Sequence, residues 1–62
     1  MKTNIKIVFK DGRECIFDAN SFGYDEYGFY SLEYIDEDDN GKLVAYVSIS
    51  EIRYLKYVEV EE

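Results

Sequence analysis

The segment Asp36-Glu37-Asp38-Asp39-Asn40-Gly41 places side-chain oxygens at alternate positions before a glycine. That is the first half of a calcium-binding EF-hand loop, whose chemistry needs carboxylate oxygens at spaced positions and a bidentate glutamate at position twelve. Position twelve here is Val47, a residue that reads as an inward strand position. The stretch is therefore expected to be a hairpin turn rich in turn-forming residues. Cys15 is the one cysteine. A nucleophilic thiolate needs a neighbouring base or an electropositive setting, and the chain contains no histidine. Cys15 is expected to be buried as a small core hydrophobe. The lack of histidine also removes a Ser-His-Asp arrangement, and one cysteine leaves a zinc site short of ligands and an internal disulfide without a partner. No G-x-x-x-x-G-K phosphate loop occurs. Carboxylates are abundant, but a working acid pair needs a cleft that raises one pKa. A chain of 62 residues has little volume for one. The expectation is a protein that is not an enzyme, with no cofactor and no bound metal.

One segment has a composition suited to recognition. Phe22-Gly23-Tyr24-Asp25-Glu26-Tyr27-Gly28-Phe29-Tyr30 interleaves aromatics, acids and glycines. Tyrosines beside small flexible neighbours are typical of adaptable protein-binding loops, and the two acids suit a basic partner. Tyr24, Asp25, Glu26, Tyr27 and Tyr30 are the candidate partner-binding residues. The competing expectation is that Phe22, Phe29 and one or more tyrosines plug the end of the core. Ile16, Val44 and Tyr46 are expected on an outer face, where together they would form an apolar patch open to an oligomer or a partner.

The elements that must position these residues are strands. Residues 3–10 alternate Ile5, Ile7 and Phe9 (inward) with Lys6, Val8 and Lys10. Asp11-Gly12 follows, a strong hairpin signal expected to close in a type I′ turn. Residues 13–19 return as a second strand with Cys15 and Phe17 on one face and Ile16 on the other. Residues 20–28 have no clean period and read as a loop or an irregular, bulged strand end. Residues 29–36 form a third strand, with Tyr30, Leu32 and Tyr34 on one face. Residues 42–49 form a fourth, with Leu43, Ala45, Val47 and Ile49 inward. Residues 50–53 break the alternation and suit one 3₁₀ turn capped by Ser50. A fifth strand covers residues 54–60.

Composition sets the bounds. The chain has 14 acidic and 7 basic residues, a net charge of −7, and 18% aromatic content. The length allows one domain, residues 1–62. The aromatic content argues against disorder. No apolar run approaches the roughly 18 residues of a membrane span, and the N-terminus moves directly into alternating sequence rather than an apolar leader. A cytoplasmic location is the expectation. A domain this short buries only about 60% of the surface its unfolded chain exposes. Without disulfide or metal it must rely on a dense aromatic core, a closed sheet or self-association. Scattered lysines and arginines disfavour phosphate-backbone binding.

The fold class expected is all-β: a small five-stranded antiparallel barrel or a strongly bent meander, with a short 3₁₀ turn before the last strand. Closing the sheet would remove most exposed edges. The segments I-K-I-V-F-K-D-G-R-E (5–14) and V-A-Y-V-S-I-S-E-I-R-Y-L-K-Y-V-E (44–59) resemble the opening and closing strands of SH3-like and Sm-like barrels. The same pattern is similar to small acidic proteins of Gram-positive bacteria and their phages. The resemblance implies a barrel opened by a hairpin, with a 3₁₀ turn between the last two strands. Sm-like RNA binding would need basic, base-stacking loops, and these loops are acidic. Fold alone does not carry function. The leading expectation is a non-enzymatic protein-binding module, monomeric or homodimeric, such as a phage or mobile-element protein that occupies a basic surface of a host protein. The alternatives are a self-assembling structural subunit using residues 54–60 as an edge and, as a minor one, a nucleic-acid-binding barrel.

Overall fold

The computed structural model describes residues 2–61. Among the described residues six strands are present rather than five: β1 (Lys2–Phe9), β2 (Glu14–Phe17), β3 (Ser21–Tyr24), β4 (Phe29–Ile35), β5 (Gly41–Ser48) and β6 (Ile52–Val60). A 3₁₀ turn, Ile49–Glu51, lies between β5 and β6. It starts one residue earlier than expected. Ser48 rather than Ser50 precedes it, with no side-chain cap bond. The strands form two three-stranded antiparallel sheets, ordered β2-β1-β6 and β3-β4-β5.

The extra strand is β3, inside the segment expected to be irregular. Two interactions at its start make it. Ala19 donates to the Phe17 carbonyl (2.8 Å), turning the chain sharply after β2. Asn20 then accepts the Ile35 amide at Oδ1 (2.9 Å) and donates from Nδ2 to the Ile35 carbonyl (2.8 Å). Its side chain thus behaves like one more strand residue against the end of β4. From there Ser21, Phe22, Gly23 and Tyr24 pair with Glu33, Leu32, Ser31 and Tyr30.

All three hairpins close the same way. Phe9, Asp25 and Asp36 donate to the carbonyls of Arg13 (2.8 Å), Phe29 (3.0 Å) and Asn40 (3.0 Å). The carbonyls of the same three residues accept from Gly12 (3.0 Å), Gly28 (3.4 Å) and Asp39 (3.1 Å). Those last residues have φ of 95°, 85° and 67°. This is a type I turn followed by a left-handed residue, the three-residue loop whose final position favours glycine. The type I′ turn expected at Asp11-Gly12 is therefore corrected, since Asp11 has no positive φ. In the third hairpin the left-handed position falls on Asp39, one residue before the Asn40-Gly41 pair.

One core lies between the sheets. Ile5, Ile7, Phe9, Ala19, Leu32 and Ile52 are buried, and Phe17, Tyr30, Ala45, Val47 and Leu55 pack against them. The smallest extent of the Cα trace is 12 Å, which suits one layer of side chains between sheets about 10 Å apart. Three expectations are corrected here. Val8 is buried at 6% exposure, although it lies on the face away from Ile5 and Ile7. Its ladder neighbours Glu14 and Tyr54 flank it. Cys15 is exposed: it lies on the edge strand β2, and the cover over its partner Ile7 does not extend that far. Leu43 is 60% exposed, because a bulge between Leu43 and Ala45 leaves Val44 unpaired and sets Leu43 opposite Glu33. Tyr34 shares a face with Tyr30 and Leu32, as expected, and is 37% exposed.

Candidate functional site

The β3–β4 hairpin carries the expected recognition residues, and its turn is organised by Asp25. Asp25 Oδ1 accepts the amides of Tyr27 (2.9 Å) and Phe29 (3.1 Å). Asp25 Oδ2 accepts the Tyr46 hydroxyl from β5. The Tyr46 ring stacks on Phe29 with centroids 4.7 Å apart and planes 5° apart. The Ile49 amide donates to the Gly28 carbonyl (2.9 Å), tying the hairpin to the 3₁₀ turn. The Tyr46 hydroxyl, helped by the two amides, holds the Asp25 carboxyl below its ordinary value. The same bond raises the Tyr46 phenol. Both oxygens of Asp25 are committed to the fold, so this residue shapes the loop rather than projecting from it.

The other candidates divide. Tyr24 and Tyr27 stand out at 76% and 75% exposure, and Glu26 between them is exposed. Tyr30 is half-buried and takes Tyr24 edge-on at 6.3 Å and Phe22 edge-on at 5.6 Å. Phe22 reaches Tyr57 of β6 at 5.8 Å, so an aromatic row bridges the two sheets. Of the expected plug residues, Tyr30 packs against the core, Phe22 stays 38% exposed and Phe29 stacks on Tyr46, while Tyr24 and Tyr27 stand largely in water. Ile16, Val44 and Tyr46 are exposed at 56%, 37% and 51%. Ile16 lies in one sheet and the other two in the second, so no common sheet face joins them.

Comparison with family models, curated proteins and solved structures finds no match. The remaining observations come from the chain's own charges. Residues 20–50, which include β3, β4 and β5, hold Asp25, Glu26, Glu33, Asp36, Glu37, Asp38 and Asp39 against Lys42 alone. Seven acids against one base leave −6 of the total −7. The remainder of the chain is close to balance, and on its sheet Lys6 pairs with Glu14 (2.6 Å) and Lys2 with Asp18 (2.5 Å). Sequence reasoning weighed the overall charge and missed this segregation, although the counts alone contain it once residues 20–50 are taken as one unit.

The acidic turn after β4 also folds its first carboxylate inward. Asp36 Oδ1 accepts the amides of Asp38 and Asn40, both at 2.9 Å. Among the described residues, no group of three or more His, Cys, Asp or Glu is placed to hold a metal ion. No helix among them is long and apolar enough to cross a membrane. At the end of β4 away from Tyr30, two open grooves of about 560 and 410 Å³ flank Tyr34. Lys2 lies 5.6 Å over the Tyr34 ring.

Proposed function

We propose that this protein is a non-enzymatic binding module that docks on a basic protein surface through the tip of the β3–β4 hairpin. The observation that carries the reading is the concentration of −6 in the half of the chain that presents Tyr24 and Tyr27. Such a charge attracts a basic surface over a distance set by ionic strength. At contact, tyrosine faces accept lysine or arginine by cation–π attraction, and Glu26 supplies an exposed counter-charge. Tyr30 supports Tyr24 from beneath, and Asp25 fixes the loop that holds all of them. In the same reading the two sheets are the halves of an SH3-like barrel. β2 and β3 are then the two arms of one bent strand, with Ala19 and Asn20 at its corner.

The test is retention of partners from nuclease-treated lysate of the source organism on immobilised protein, read by mass spectrometry. The expected result is a basic protein in stoichiometric amount that elutes as salt is raised. It should be lost from the Tyr24→Ala, Glu26→Lys, Tyr27→Ala triple variant, which leaves Asp25 in place. Unchanged retention on that variant refutes the site. Recovery of the bait alone refutes the function.

A further inference from the structure

We propose that two copies of this chain pair antiparallel along β6, about a two-fold axis at Tyr57, so that one sheet runs continuously through both molecules. The inference is made on the other sheet, whose Tyr57 also touches Phe22 of the hairpin sheet.

An unpaired strand edge presents a row of amides and carbonyls ready to pair with another strand. Four strands here lie at sheet edges: β2, β3, β5 and β6. β2 and β3 have four residues each, too few for a ladder of useful length. β5 has eight, but it is bulged at Val44 and lies in the half of the chain carrying −6. Two copies approaching through that half repel. β6 is the longest strand, with nine residues, and its half is near charge balance. Its pairing with β1 is irregular only at the start, where Phe9 lies opposite Ile52 and Val8 opposite Tyr54. From Tyr54 to Val60 it is regular, and Tyr57 is the midpoint of that stretch.

The register follows from side-chain parity. A one-residue slip would set the core-facing residues of one copy against the solvent-facing residues of the other. Any axis through a residue avoids that slip, and the three nearest the middle of the regular stretch bury the longest ladder. An axis at Lys56 opposes two ammonium groups. An axis at Val58 sets Leu55 opposite Glu61 and Tyr57 opposite Glu59. An axis at Tyr57 pairs Tyr57 with the partner's Tyr57, Lys56 with Val58, Leu55 with Glu59 and Tyr54 with Val60. This register has no like charges opposed and uses the whole regular stretch. Tyr54 and Tyr57 are 46% and 51% exposed, so pairing covers aromatic surface that the monomer leaves in water. An aromatic cross-strand pair is among the favourable ones. A ladder of seven residues is shorter than a standard interface, so the dimer is weak and concentration-dependent.

Sedimentation velocity from low micromolar to millimolar concentration tests this. The expected result is a rise from 7.3 kDa toward twice that mass. Tyr57→Lys, which opposes two ammonium groups across the axis, should weaken association by about tenfold or more, and Tyr57→Phe should retain it. The register is read by oxidation of Tyr57→Cys in a Cys15→Ser background. That cysteine faces its own copy within disulfide reach and should cross-link much faster than Tyr54→Cys, whose partner position is Val60. A monomer at millimolar concentration overturns the proposal, as does equal cross-linking of the two variants. Neither result bears on capture of a basic partner by the β3–β4 tip.

Discussion

Asn20→Ala removes two hydrogen bonds at once, those to the Ile35 amide (2.9 Å) and carbonyl (2.8 Å). Each is worth about 0.5–1.5 kcal/mol net, and a partner left dry costs more. Ile35 is half-buried, so water reaches its freed groups in part. The sum is about 2 kcal/mol. A domain of this size rarely holds more than about 3–5 kcal/mol, so the variant should lose roughly half its stability. With a urea slope near 1 kcal/mol/M, the low end for small proteins, the midpoint should fall by about 2 M. Far-UV circular dichroism or tyrosine fluorescence follows the transition. Asn20→Asp sharpens the test. Its carboxylate still accepts the Ile35 amide but faces the Ile35 carbonyl without a proton, so its folded pKa lies above the unfolded value of about 3.9. The deficit is then largest above the folded pKa and shrinks as pH falls toward 4. A midpoint within about 0.3 M of wild type for Asn20→Ala refutes the reasoning, since two lost bonds must exceed that shift. So does an Asn20→Asp deficit that does not narrow in acid.

Asp39→Gly should stabilise the fold by roughly 0.5–1 kcal/mol, because it relieves a left-handed conformation that the other two hairpins give to glycine; urea unfolding checks it. Tyr46→Phe removes the donor to Asp25. Since the folded Asp25 pKa is depressed, its contribution is present above about pH 4 and lost as pH falls through the folded value. The variant's stability should therefore vary less with pH between neutrality and acid, as read by thermal melts across that range. Cys15 should react with a thiol reagent in native conditions at a rate near that of the unfolded chain. Strong protection would contradict its exposure.

The alternation of Ile5, Ile7 and Phe9 was sufficient to place β1 and its buried face, because β1 is flanked on both sides and one of its faces meets the second sheet. The 3₁₀ turn was legible from the break in period after Ile49. β3 was hidden because four residues, one of them glycine, carry too little period to read. Its pairing depends on an Asn20 side chain acting fifteen residues away. The bulge at Val44 leaves no mark in composition, yet it reverses Leu43. Within the site, exposed Tyr24 and Tyr27 follow from tyrosine beside glycine and acids. The inward commitment of Asp25 does not, since its partner Tyr46 comes from a different hairpin, 21 residues on.

The shared hairpin closures have a consequence for how the fold assembles. β3, β4 and β5 are joined in sequence by turns bonded across four residues, so that meander forms from short loops. β1 pairs with β6 in a register that sets Lys2 opposite Val60, and that ladder needs most of the chain drawn into one loop. Loop closure grows costlier with length, and non-local pairing slows folding. The acidic meander is then expected to form first, which φ-values higher in β3–β5 than in the β1–β6 ladder would show. The order leaves the β6 edge as the last surface to exist.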